Sequence, residues 1–238
     1  MTTGERAPIV TDRQTIQDNI YATLRGQICL LELTPGIIMS SNEVAESMSL
    51  LMHRSVSRTP VREAFIRLAK EGLVSMLPQH GTVVTRIDPQ RAMEEQLLRY
   101  TLETANLEDF QSNASTADYD GLRGVIEEQT NAIEAGHTIE YIRLDNEFHH
   151  RQFRISGHTL YLDIITTFNS HYDRIRNLTT WDYANVKNSI RQHQEILCHL
   201  EQGELEQAQN LLKDHLTKLE NEKQSLFEHY PDYFTVQR

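Results

Sequence analysis

Apolar side chains recur at helical spacing through Ile16, Ile20, Leu24, Ile28 and Leu31, and the run meets Thr34-Pro35-Gly36, a turn signal that redirects the chain. Ser41 or Asn42 can cap a second helix through Val44, Ala45 and Met48. Ser57 can cap a third, whose first turn accepts Pro60 because no hydrogen bond is lost there. In that third helix Val61, Ala64, Phe65, Leu68 and Ala69 share one face, while Thr59, Arg62, Glu63, Arg67 and Lys70 occupy the opposite arc. Gly72 is placed to end it, and the short runs Leu73–Leu77 and Thr82–Val84, joined by Pro78-Gln79-His80-Gly81, read as a two-stranded wing.

Beyond Pro89 no segment alternates as a strand does. Long helical patterns are broken at Ser112–Ser115, Gly136, Ser156-Gly157, Thr179-Thr180 and Gly203. The predicted fold is therefore mainly α: a winged helix-turn-helix over residues 1–88 and an all-α antiparallel helical bundle over 89–238, divided where Pro89 restricts Asp88.

Charge sharpens this division. The chain of 238 residues carries a net charge of -11, which alone argues against a nucleic-acid partner. Residues 1–88, however, hold nine Arg and Lys against nine Asp and Glu, so the acid belongs to the second half, and DNA affinity depends on local cations rather than on the whole-chain sum. Nine of the eleven histidines also lie from His137 onward. With two cysteines, Cys29 and Cys198, and no apolar run that would span a bilayer, a reducing cytoplasm without disulfides or membrane attachment is the expected setting.

The run Ser57-Arg58-Thr59-Pro60-Val61-Arg62-Glu63-Ala64, followed by Leu68, Glu71-Gly72-Leu73-Val74 and Gly81, resembles the signature of the GntR superfamily of transcriptional regulators. The resemblance implies that the third helix enters the major groove N-terminus first. Arg58, Thr59 and Arg62 would then contact DNA, while His80 and Gly81 at the wing tip approach the backbone or minor groove. The chemistry suits this, since arginine can bridge two acceptors on a guanine edge and a helix N-terminus favours phosphate. One departure from the pattern is Leu50-Leu51-Met52-His53-Arg54-Ser55, which lengthens the connection between the second and third helices by about six residues and adds Arg54 as a phosphate candidate.

In the second half, Asp145 and His149 are four residues apart on one helix face and can grip a single ion. His193 lies ten residues before Gly203 and His215 twelve after it, so an antiparallel hairpin folded at the glycine brings both to nearly the same height, roughly 15 and 18 Å from the turn. One carboxylate and three imidazoles suit a divalent ion, zinc foremost, with nickel, manganese or iron also compatible. His150 and His199 fall on other helix faces and read as packing or surface residues. The pattern Asp145-xxx-His149, then His193 with Gly203 and Ala208 leading to His215, resembles the metal-binding branch of the FCD ligand-binding domain found in FadR-like members of that superfamily.

Open positions on such an ion would accept a small carboxylate or hydroxycarboxylate. Arg99, which matches an arginine common in the family, would clamp that acid, the alternative being an internal ion pair with Glu103. Asn169 and Arg174 are secondary candidates on a polar face expected to be solvated. Together these features imply a homodimeric regulator reading palindromic operator DNA under the control of a small organic acid. Two rivals compete with it: a metal-dependent enzyme, for which no nucleophile triad or phosphate loop is apparent, and a regulator whose metal is purely structural.

Overall fold

The computed structural model describes residues 15–180, 183–217 and 225–235, so the outer limits of both expected domains lie outside the described residues. Helix α1 (Ile16–Cys29) begins with a reciprocal cap between Thr15 and Asp18, satisfying backbone donors that a first turn leaves open. It ends two residues before Leu31, which turns left-handed at φ 60°. Strand β1 (Ile38–Met39) follows, then α2 (Ser41–Leu51), α3 (Arg58–Lys70), β2 (Val74–Leu77) and β3 (Gly81–Val84). The cap of α2 is Ser40, one residue earlier than expected, because its hydroxyl accepts from Asn42 and Glu43 while Glu43 reaches back to the Ser40 amide. Ser57 occupies the cap position of α3 without a side-chain hydrogen bond.

The six extra residues are divided between two devices. Leu50 and Leu51 lengthen α2, and the turn after it passes through His53 at φ 50°. The apolar faces of the three helices meet as expected around Ile20, Leu24, Met48, Phe65 and Leu68. Strand β1 has no counterpart in the sequence expectation, since two residues are too few to show alternation. It completes a three-stranded antiparallel sheet in the order β1-β3-β2, with Ile38 opposite Val83 and Leu77 opposite Gly81. Gly81 stands at φ 98°, and a Cβ there would lie 2.9 Å from the Met39 carbonyl oxygen, so the crossing of the wing over β1 requires glycine.

The second half consists of α4 (Pro89–Asn113), α5 (Thr116–Glu134), α6 (Thr138–Ser156), α7 (Thr159–Thr167), α8 (Ser170–Thr179), α9 (Tyr183–Glu201) and α10 (Leu205–Leu216). Among the described residues no helix is long and apolar enough to cross a membrane. Its core gathers Leu107, Phe110, Leu122, Phe148, Ile196 and Leu212. The break between α7 and α8 at Phe168-Asn169 was not legible in the sequence, because neither glycine nor proline marks it.

A smaller apolar cluster joins the halves: Leu31, Ile87, Ala92, Tyr172, Ile175 and Leu178 pack with Leu226 and Phe234 of the final segment, and Ile87 exchanges backbone hydrogen bonds with Tyr233 and Thr235. Helix α8 is the axle of this joint. Glu95 of α4 accepts from the His171 and Tyr172 amides at 2.8 and 3.0 Å, placing a carboxylate at the positive end of α8. The Asp88 amide donates to His171 Nδ1 at 2.9 Å, and Arg174 Nη2 points at the same nitrogen. Arg174, expected on a solvated face, is fully buried and donates to the Thr85 carbonyl at 2.8 Å. Asn169 is also buried and donates to Asp173. Polar character misled there because Arg174 is satisfied by a backbone carbonyl of the other half and Asn169 by a side chain of its own helix.

Burial and then Arg174 push the His171 imidazole down to about 3. A pKa depressed on folding means that the unfolded chain binds the extra proton first, so the contribution of His171 is complete above about 6.5 and lost as pH falls towards 3. In chelator-treated protein, His171→Gln, which keeps an acceptor for Asp88, should make the loss of stability between pH 6.5 and 4 shallower by up to about 1.4 kcal/mol per pH unit. Urea midpoints measured across that range test this; parallel slopes would place the titration elsewhere.

Candidate metal centre and nucleic-acid interface

Three helices supply the four candidate ligands at the centre of the bundle. Helix α6 carries Asp145 and His149 one turn apart, and α9 and α10, folded back at Gly203 with φ 80°, bring His193 and His215 to the same level. One ligand atom from each of these four residues lies within 4.8 Å of every other. Two donors each about 2.1 Å from one ion can be at most about 4.2 Å apart, so the set stands within a small adjustment of enclosing a cation.

The surroundings orient the imidazoles. His149 Nδ1 donates to Glu103 Oε2 at 2.6 Å, His193 Nδ1 to Gln129 Oε1 at 3.0 Å and His215 Nδ1 to Gln192 Oε1 at 3.2 Å. The Gln129 amide is itself fixed, since its nitrogen donates to the Leu144 carbonyl. With a hydrogen on each Nδ1, each Nε2 presents a lone pair inward. His193 Nε2 and His215 Nε2 face each other at 3.2 Å, His193 Nε2 stands 3.6 Å from Asp145 Oδ1, and His149 Nε2 is buried without a hydrogen-bond partner among the described residues. Lone pairs converging beside a carboxylate form a donor set that suits a cation. Phe148 stacks on His193 at 4.2 Å and closes one side.

Both carboxylates are held ionised. Burial pushes the Glu103 carboxyl up, but Arg99 and His149 outweigh it and hold it well below the usual range. Asp145 is likewise raised by burial and lowered further by Arg176, whose Nη2 pairs with Asp145 Oδ2. Arg99 forms the internal pair named as its alternative role, with Nε 2.5 Å from Glu103 Oε1, while its Nη1 is buried without a partner among the described residues. Beside Asp145 and His215 lies a cavity of about 70 Å³, bordered by Tyr141, Tyr172, Arg176, Asn177 and Ser189 but not by Arg99. Sequence reasoning missed Arg176. Its only signal was a position on α8 three residues after Asp173, which reads as an ordinary surface pair. His150 is half-buried off the site, and His199 pairs with Glu204.

In the first half, Arg58, Arg62, His80 and Gly81 line a single concavity of about 490 Å³ together with Ser40–Glu43 at the start of α2. All four are exposed, as is Thr59, which stands beside this concavity rather than in it. Arg67, by contrast, is committed to packing: it pairs with Asp18 at 2.6 Å and lies 3.8 Å over the Tyr21 ring. The concavity thus presents two exposed guanidiniums, a histidine and two helix N-termini, a combination suited to a polyanion.

Comparison with known proteins matches residues 16–84 to the bacterial regulatory proteins of the gntR family and residues 96–218 to the FCD domain. A Streptomyces ambofaciens "Uncharacterized HTH-type transcriptional regulator in unstable DNA locus" is 32% identical over 230 residues, 95% of this chain and 92% of that one. The Escherichia coli HTH-type transcriptional repressor RspR is 27% identical over 93% of this chain and 95% of its own. The solved structure of E. coli McbR/YncC superposes with a TM-score of 0.73 at 20% identity, covering 91% of this chain and 99% of that one, and a putative GntR regulator from Rhodococcus sp. RHA1 gives 0.73 at 18%, covering 88% and 97%; both support the fold.

Glu103 positions His149 from outside the donor set. Glu103→Gln should therefore lower zinc affinity about 10- to 100-fold, measured by competition with a calibrated chelator, because a neutral amide polarises the imidazole less. Unchanged affinity would mean that Glu103 serves only to neutralise Arg99.

Proposed function

Because the chain belongs to the gntR family of bacterial transcriptional regulators and carries an FCD domain, we propose that it binds operator DNA through residues 1–88 and that a small organic acid, bound at a divalent metal in residues 89–238, controls that binding. The carrying observation is the convergence of three imidazole Nε2 atoms, each set by an acceptor on Nδ1, upon the Asp145 carboxylate. Asp145, His149, His193 and His215 would hold the ion, with zinc the expected occupant. The ion would supply Lewis acidity and open positions to an anionic oxygen. Arg176, which lines the cavity, adds positive charge beside that oxygen, and Arg99 adds charge from behind Glu103. The relatives named above are transcriptional regulators, which favours a sensing role for the centre over a catalytic one.

On the DNA side, Arg62 and Arg58 project from the first turns of α3 to read base edges, Thr59 contacts the adjoining backbone, and His80 and Gly81 bring the wing tip to the sugar-phosphate chain. A homodimer places two such faces on the half-sites of a palindrome.

Two measurements test the reading. On a duplex selected from a random library, Arg62→Ala should cost about 1–3 kcal/mol and relax preference at one base position. Equal weakening on selected and random DNA would reduce Arg62 to a phosphate contact. Purified wild-type protein should contain close to one metal per chain, His193→Ala less, and chelator should lower the melting temperature of wild type more than that of the variant. Protein that takes up neither zinc, nickel nor manganese would end the metal-centred reading.

A further inference from the structure

Arg176 bears on both the occupant of the cavity and the route from it to the DNA-binding half. Its Nη2 holds Asp145 Oδ2, and its Nη1 holds Asp173 Oδ1 and Asn146 Oδ1 at 3.0 and 3.1 Å. The charged groups linked through the site are the carboxylates of Glu103, Asp145 and Asp173 and the guanidiniums of Arg99 and Arg176. Three negative charges against two positive leave one in excess. A divalent cation reverses this to a single excess positive charge, and in a buried setting that excess favours one monoanion over a neutral molecule or a dianion. The cavity that such an anion would enter is small, and Arg176 lines it together with the hydroxyl residues Tyr141, Tyr172 and Ser189.

The helix carrying Arg176 is also the helix that grips the other half. Asn177 lines the same cavity, yet its Nδ2 donates to the Cys29 carbonyl, the last residue of α1, at 2.5 Å. On the same helix Arg174 holds the Thr85 carbonyl just beyond the wing. A movement of α8 at Arg176 therefore alters hydrogen bonds to both the first helix and the wing of the DNA-binding half.

We propose that Arg176 reads a small monocarboxylate, exchanging Asp145 for the ligand, and that Asn177, next to it on α8, passes the exchange to α1 and so to the DNA-binding face. This rests on the metal-and-effector reading above and adds to it the reading residue, the ligand charge and the connecting helix. A helix bonded at both sites gives the two a shared element, and coupling requires that each bias its position.

The test uses zinc-loaded full-length protein with acetate and L-lactate as monoanions and succinate as a dianion, calorimetry for binding, and the selected duplex for operator affinity. Wild type should bind a monoanion more tightly than succinate, and a saturating monoanion should change operator affinity by tenfold or more. Arg176→Gln should keep its zinc but bind the monoanion at least tenfold more weakly, with Arg176→Lys, which retains the charge, between the two. Asn177→Ala, measured at saturating monoanion, should reduce the operator response to below about threefold. Monoanion binding by Arg176→Gln equal to wild type, or preference for succinate, overturns the role of Arg176 and the charge argument. A full operator response in Asn177→Ala overturns the relay. Failure of wild type to bind zinc or any of the three acids instead brings down the underlying reading, and this inference with it.

Discussion

The Nδ1 hydrogen bonds of three histidines are the constraint on which the helical half is built. Glu103 from α4, Gln129 from α5 and Gln192 from α9 each take one Nδ1 proton, so each ring turns its remaining lone pair inward towards Asp145. Such an arrangement is costly without a counter-charge, because lone pairs gathered beside a carboxylate in a water-poor interior repel one another. It becomes favourable with a cation at the focus, and the helices are packed to keep it. Phe148, stacked on His193 and fully buried, blocks relaxation of the ring. Positions around the donors therefore carry information about the ion as much as the donors themselves do.

At the candidate metal centre, buried charge is handled by pairing. Glu103 would be costly to ionise where it lies, yet Arg99 and His149 keep it charged, and Asp145 depends on Arg176 in the same way. These pairs bind α4, α6 and α8 together through the site rather than around it. Any change at the site is thus shared among three helices, one of which, α8, bears on the DNA-binding half through His171, Arg174 and Asn177. Such a joint differs from a flexible linker in having defined hydrogen bonds to break.

At the other end of the molecule, surface cations are apportioned between structure and recognition. Arg67 and Arg25 are tied to Asp18 and Glu71, while Arg58 and Arg62 are left exposed around a concavity framed by two helix N-termini and the wing. That local positive face is what permits a chain of net charge -11 to carry a DNA-binding module.

Periodicity determined the first three helices, the wing and the all-helical second half, because an apolar stripe must be buried whatever the details of the fold. Spacing also determined which histidines share a level: a helix rises about 1.5 Å per residue, so His193 and His215 were bound to meet once Gly203 turned the chain. Tertiary structure alone decided what lies beside them. The partners of the histidines are Glu103, Gln129 and Gln192, the partner of Asp145 is Arg176, and Arg174 and Asn177 are buried against backbone carbonyls of Thr85 and Cys29. These contacts span 23 to 148 positions and use side chains that look solvated in sequence, as Arg174 did. A polar residue does not encode which distant group will satisfy it; only the packing of helices brings that group within 3 Å.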